Sequence, residues 1–114
     1  MAGWPMPKKQ KPQPLEALDL ANRVRVERAA IKRGIKTYAD AAEVVRTSEA
    51  GIPTVDVVGA IDRVGPMRVR TILRKAKVSE ITRVGGEDLP RVNKYRRMTV
   101  QERHRLITEL EARA

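Results

Sequence analysis

Cysteine is absent from this 114-residue chain, so disulfide frameworks and thiolate metal sites are excluded. Phenylalanine is absent too, and the aromatic residues are only Trp4, Tyr38 and Tyr95. Proteins that read single strands stack bases on aromatic platforms, so this scarcity favours a duplex held by its backbone. No uninterrupted apolar run approaches membrane-spanning length, and the N-terminus lacks the apolar core of a signal peptide. A soluble, cytoplasmic protein with no membrane partner is expected. His104 is the only histidine and has no second imidazole to share a metal, so it reads as a surface or partly packed helix residue. There is no G-x-x-x-x-G-K-[ST] loop, and Gly85-Gly86 lacks a strand-helix context. No carboxylate cluster suits a nuclease magnesium, and a glycosylase needs a base pocket that asks for a larger core. Catalysis, a metal, a cofactor and a small-molecule ligand are therefore not expected.

Acids are also in short supply. Lys and Arg number 24 against 14 Asp and Glu, a net charge of +10. That imbalance favours a polyanionic partner. The length allows one domain with a modest core.

Residues 1–14 hold Pro5, Pro7, Pro12 and Pro14 with Lys8, Lys9 and Lys11, and little to bury. They read as an extended basic arm, a solvated tail before a DNA-tracking one. Residues 15–114 read as the helical domain. Leu15 to Arg33 forms a long helix stopped at Gly34, with an apolar stripe of Ala17, Leu20, Ala21, Val24 and Ile31 interrupted by Arg28. Six bases and one acid between Arg23 and Lys36 make Arg25, Lys32 and Arg33 candidates for a second DNA-facing surface. From Thr37 to Asp62 there are five acids and only Arg46 as a base. That segment is expected to face away from a polyanion or to pack against the basic helices. Thr37 to Asp40 resembles a capping box opening a helix to about Thr47. After the break at Gly51-Ile52-Pro53, Thr54 is placed to cap a short helix carrying Val57, Val58 and Ile61.

The chain is organised around the stretch from Ala60 to Leu73. Gly65 allows a tight turn. Pro66 suits the first position of a new helix, whose buried face is Val69, Ile72, Leu73 and Ala76. The start of that helix has unpartnered N–H groups and a positive dipole end, a setting for phosphate. Arg63, Arg68 and Arg70 surround it. Taken alone, a glycine turn between two helices is common in helical domains. Beyond it, Ser79 to Val84 reads as a further short turn and Glu87 to Lys94 as a loop. Arg91, Lys94, Arg96 and Arg97 then cluster before a last helix opened by the capping box Thr99 to Glu102 and buried through Leu106, Ile107 and Leu110. Arg63 to Arg105 holds thirteen bases and four acids, so the charge excess concentrates on the hairpin and on the segment C-terminal to it. With no repeat and no alternating segment, the expected fold is all-α, with about five or six helices.

Several segments resemble the actinobacterial integration host factors. Arg23-Val24-Arg25-Val26-Glu27 with Ile31-Lys32-Arg33-Gly34 is similar to that family's first helix. Thr54-Val55-Asp56 through Val64-Gly65 to Ile72 resembles its central hairpin, and Met98 to Leu110 its final helix. Together they span about residues 15–112 in the family's order. The resemblance implies a helix-two-turn-helix domain that binds duplex DNA and bends or compacts it. It implies phosphate contact by Gly65 and the helix start through Met67, with Arg68 supplying a base where Pro66 departs from the pattern. Arg83 matches the family's later arginine cluster, whereas Thr82 and Gly85 stand where further arginines belong. The segment Gly86 to Arg97 looks like an insertion whose Arg91, Lys94, Arg96 and Arg97 replace the missing charge, as in a phage-encoded or paralogous member. The expected function is a non-enzymatic, nucleoid-associated protein, a monomer when free, that binds double-stranded DNA with little sequence preference. The alternatives are a ribosome-associated RNA-binding protein of similar helical design and a protein-interaction factor.

Overall fold

A computed structural model describes residues 15–86 and 95–114. In chain order they form α1 (Leu15–Arg33), α2 (Tyr38–Thr47), β1 (Ile52–Pro53), α3 (Thr54–Gly59), α4 (Pro66–Ala76), β2 (Thr82–Val84), β3 (Arg96–Arg97) and α5 (Val100–Arg113). The N-terminal arm lies outside the described residues.

Both capping boxes form. The Thr37 hydroxyl accepts the Asp40 N–H at 3.1 Å, and the Asp40 carboxylate accepts the Lys36 and Thr37 N–H groups, each at 3.1 Å. Those backbone donors hold the Asp40 carboxyl below its usual pKa. Thr99 and Glu102 repeat the arrangement at α5, at 3.1 and 2.9 Å. So anchored, α2 lays Ala41, Ala42 and Val45 against α5, which contributes Leu106 and Leu110, and α4 closes the core with Val69, Ile72, Leu73 and Ala76. Full burial of a side chain such as Leu106 is worth about 1.5–3 kcal/mol.

The fold is mostly helical, in rough agreement with the all-α expectation, with a small sheet that the expectation did not include. The sheet runs in the order β1-β2-β3, with Ile52 opposite Val84 in the antiparallel pair and Arg83 opposite Arg97 in the parallel one. Its central strand replaces the turn expected at Ser79 to Val84. These strands are two or three residues long, and Thr82, Arg83 and Val84 are all buried. No alternation can show in so short and enclosed a run.

Thr54 does not cap α3. Pro53 occupies the cap position without a side-chain bond, and Thr54 is buried in the first turn. Its hydroxyl lies 2.8 Å from the Thr82 hydroxyl, which is also 2.8 Å from the Ser79 carbonyl oxygen. With one proton each, Thr82 serves the carbonyl and Thr54 serves Thr82. Thr82→Val keeps the shape but leaves the buried Thr54 hydroxyl without its acceptor, while the Ser79 carbonyl keeps the Thr82 N–H at 3.3 Å. The substitution is expected to cost about 1–2 kcal/mol in urea denaturation.

The expected stripe of α1 is only partly used. Ile31 packs against the core, and Arg28, which interrupts the stripe, is the docking residue: its Nε donates to the Ala50 carbonyl at 2.7 Å. Leu18, Leu20 and Val26 remain exposed, because the described core ends below the first half of the helix.

Candidate nucleic-acid interface

The link between α3 and α4 differs from the expected glycine turn. The left-handed residue is Arg63, at φ 68°, while Gly65 is extended at φ −86° and ψ 176°. A Cβ built on Gly65 would meet no heavy atom within 4 Å. The fold therefore does not demand glycine there, and what its absent side chain leaves is open backbone at the helix start. Gly65 is the N-cap of α4 and Pro66 its first residue, with no side-chain cap and no acid in the first turn. The first intrahelical bond runs from the Val69 N–H to the Gly65 carbonyl at 3.0 Å. The Met67 and Arg68 N–H groups have no acceptor among the described residues. By contrast, α2 and α5 are each sealed by a carboxylate-bearing box. The start of α4 is left open to an anion.

Three guanidinium groups surround this opening. Arg63 and Arg68 are exposed and free of ion pairs among the described residues, and they line a shallow hollow with Gly65, Pro66, Met67 and Thr71. The third, Arg113, has no signal in the sequence. It arrives because α5 runs back along α4: Arg105 donates to the Ala76 and Lys77 carbonyls at 2.9 and 2.8 Å, and the last turn of α5 then reaches the start of α4. Arg113 is steadied by Glu109 at 2.7 Å. Arg70 stands farther along the exposed side, 3.8 Å from Glu80. At that separation and exposure the pair contributes little.

The second basic surface adjoins the first. The Asp62 N–H donates to the Lys36 carbonyl at 3.0 Å, which brings the end of α1 beside the hairpin. Arg25 and Arg33 are exposed, Arg25 lying 3.5 Å from the Asn22 side chain. Lys32 is half-buried and 3.9 Å from Asp56. The acidic middle of the chain packs against basic elements, as Asp56 does here and Glu49 does with Arg97 and Arg103 at 3.2 and 3.4 Å.

The later cluster is engaged differently. Arg83 is 1% exposed, its Nε donating to the Tyr95 carbonyl at 3.1 Å and an Nη to the Gly85 carbonyl. The expected DNA contact by Arg83 is therefore corrected: its guanidinium is enclosed and ties β2 to its flanks. Arg96 grips the buried Glu102 through two bonds of 2.8 and 2.7 Å. Arg97 is half-exposed, with Glu49 and the Gly86 carbonyl as partners. Arg91 and Lys94 lie outside the described residues.

The Arg96 hydrogen bonds, helped by the Thr99 and Ser79 N–H groups, outweigh burial and lower the Glu102 pKa to about 2. Among the described residues no three Asp, Glu or His side chains come together to hold a metal, and no helix is long and apolar enough to cross a membrane. Compared with known proteins, the chain matches no family model, no curated protein and no solved structure.

Proposed function

We propose that this chain is a non-enzymatic, nucleoid-associated protein that holds duplex DNA by its backbone, with low sequence specificity, and bends, bridges or compacts it. The observation that carries this reading is the unsealed, glycine-led start of α4 set between Arg63 and Arg68, neither of them neutralised by an acid among the described residues. Backbone N–H groups, a positive helix end and guanidinium groups are the donors that phosphate oxygens take. Arg25, Arg33 and Lys36 are exposed, and Lys36 lies beside the hairpin through its carbonyl bond to the Asp62 N–H, so further cationic surface is available to a duplex. A chain of net charge +10 gains further from releasing the counterions of a duplex. Such contacts position a duplex without reading bases, so sequence preference arises from DNA shape and deformability. The resemblance to the actinobacterial integration host factors points the same way.

The test is fluorescence anisotropy with a random-sequence duplex and a structured RNA across a salt series. Duplex preference is expected, with a slope of log affinity on log salt of about −0.9 per phosphate neutralised. Arg68→Glu is expected to weaken binding about tenfold or more on every sequence and to flatten the slope by about one or two. Arg68 is exposed and without an ion pair among the described residues, so the circular dichroism and thermal midpoint of this variant should match those of the parent. Unchanged affinity would count against a hairpin-centred site, and preference for RNA against the nucleoid role.

A further inference from the structure

Two large apolar side chains are more than four-fifths exposed among the described residues: Met67 at 81% and Val100 at 83%. Their surroundings differ. Val100 opens α5, where Glu102 seals the first turn. Met67 stands on the unsealed tip of α4, directly after Pro66, and shares its hollow with Arg63, Arg68 and Arg113. An apolar side chain so placed has no core beneath it and a ring of cations beside it.

We infer that Met67, braced by Pro66, enters a base step of the bound duplex from the minor groove and kinks it, while Arg63 and Arg68 hold the phosphates on either side. The shape of the tip fits this action. Gly65 has no side chain, and beyond its chain neighbours nothing lies within 4 Å of where one would be, so that flank of Pro66 and Met67 is open. The proline ring fixes the backbone behind the wedge. A methionine side chain is unbranched and polarisable, so it can slide between base planes and gain contact with both faces. Apolar wedges of this kind unstack a step and bend the duplex, and the bend brings more phosphate toward the protein. Bending would also draw DNA toward the exposed Arg33 and Lys36 beside the hairpin. Pyrimidine–purine steps unstack at least cost, so TA and CA steps become the favoured points of entry.

This inference rests on the duplex-binding reading, and the experiment separates the two. The full chain is titrated onto a duplex carrying 2-aminopurine at a single TpA step and a fluorophore pair at its ends. Wild type is expected to raise the 2-aminopurine emission, shorten the end-to-end distance and prefer TA over AA sites about fivefold to tenfold. Met67→Ser keeps the main-chain N–H groups of the helix start, so it is expected still to bind a random duplex, weakened about threefold to tenfold by loss of the wedge and of the phosphate contacts that the bend adds, and to lose all three signals. Met67→Leu restores them, and Val100→Ser changes none. Retention of the emission change and the bend in Met67→Ser would overturn the wedge, as would wild-type binding without unstacking. Either result leaves backbone binding standing. Failure of wild type to bind duplex DNA at all overturns both.

Discussion

Replacing Gly85 with alanine is expected to remove about 3–5 kcal/mol of stability, a large loss for the addition of one methyl group. Gly85 has φ +73°, where a side chain adds roughly 1–2 kcal/mol of backbone strain. The larger part is steric. The new Cβ would lie 2.4 Å from the Glu49 Cα, 2.7 Å from the Ser48 carbonyl oxygen and 3.0 Å from the Glu49 carbonyl carbon. All three are main-chain atoms, so no rotamer change relieves them. The segment leaving α2 would have to lift away from the end of β2, loosening the bond from the Gly51 N–H to the Val84 carbonyl. Small domains are stable by only about 5–15 kcal/mol, so the variant would be partly unfolded at physiological temperature. Urea denaturation should show a lower midpoint at unchanged slope, and calorimetry a thermal midpoint lower by on the order of 15 °C. The control is Gly65→Ala, where the space is open and φ is negative. Its stability should fall by less than about 1 kcal/mol, the ordinary difference between glycine and alanine at an N-cap. Duplex affinity should fall with the Gly65 variant if phosphate approaches the main chain there.

Glu102→Gln is expected to cost about 2–3 kcal/mol at neutral pH and to flatten the acid limb of the stability profile. Glu102 joins three elements. It receives both arms of the Arg96 guanidinium, the Thr99 N–H that completes the cap of α5, and the Ser79 N–H at 3.5 Å between α4 and β2. The amide of glutamine keeps one acceptor but offers Arg96 an N–H where it needs an oxygen. A guanidinium left facing that donor loses its charge partner. The direction of the shift sets the pH dependence. Folding lowers the Glu102 pKa from the ordinary 4.5 to about 2, so the folded chain binds its proton less readily than the unfolded one. The contribution is complete above about pH 5 and disappears as pH falls from there toward 2. Urea midpoints measured from pH 7 to pH 2 should decline steeply for wild type and more gently for Glu102→Gln. Parallel declines would mean that other carboxylates carry the acid sensitivity.

These two residues also show where sequence reading stops. The capping box at Thr99 is legible because its bonds span three positions, and that spacing places Glu102. Its partnership with Arg96 is not legible, since a run of arginines discloses charge but not where the compensating acid will lie. In the sequence Arg96 and Arg97 look like free cations, while the fold turns them toward Glu102 and Glu49. Arg83 looks like a member of a DNA-facing cluster, and the pairing of β2 with both neighbours carries it inside. Arg113 gives no local signal, and only the return of α5 along α4 brings it to the hairpin.

By itself, the sequence determined the elements whose causes are local: helix starts set by Thr37, Pro66 and Thr99, helix faces set by apolar spacing, and a strong excess of positive charge. Only the tertiary structure decided that three very short strands form a sheet, that Arg63 rather than Gly65 takes the left-handed turn, and which arginines stand without an acid at the open start of α4. The physical reason is range. Capping and periodicity act within a few residues, whereas strand pairing and the neutralisation of a charge depend on which distant segments the collapsed core brings within a few ångströms.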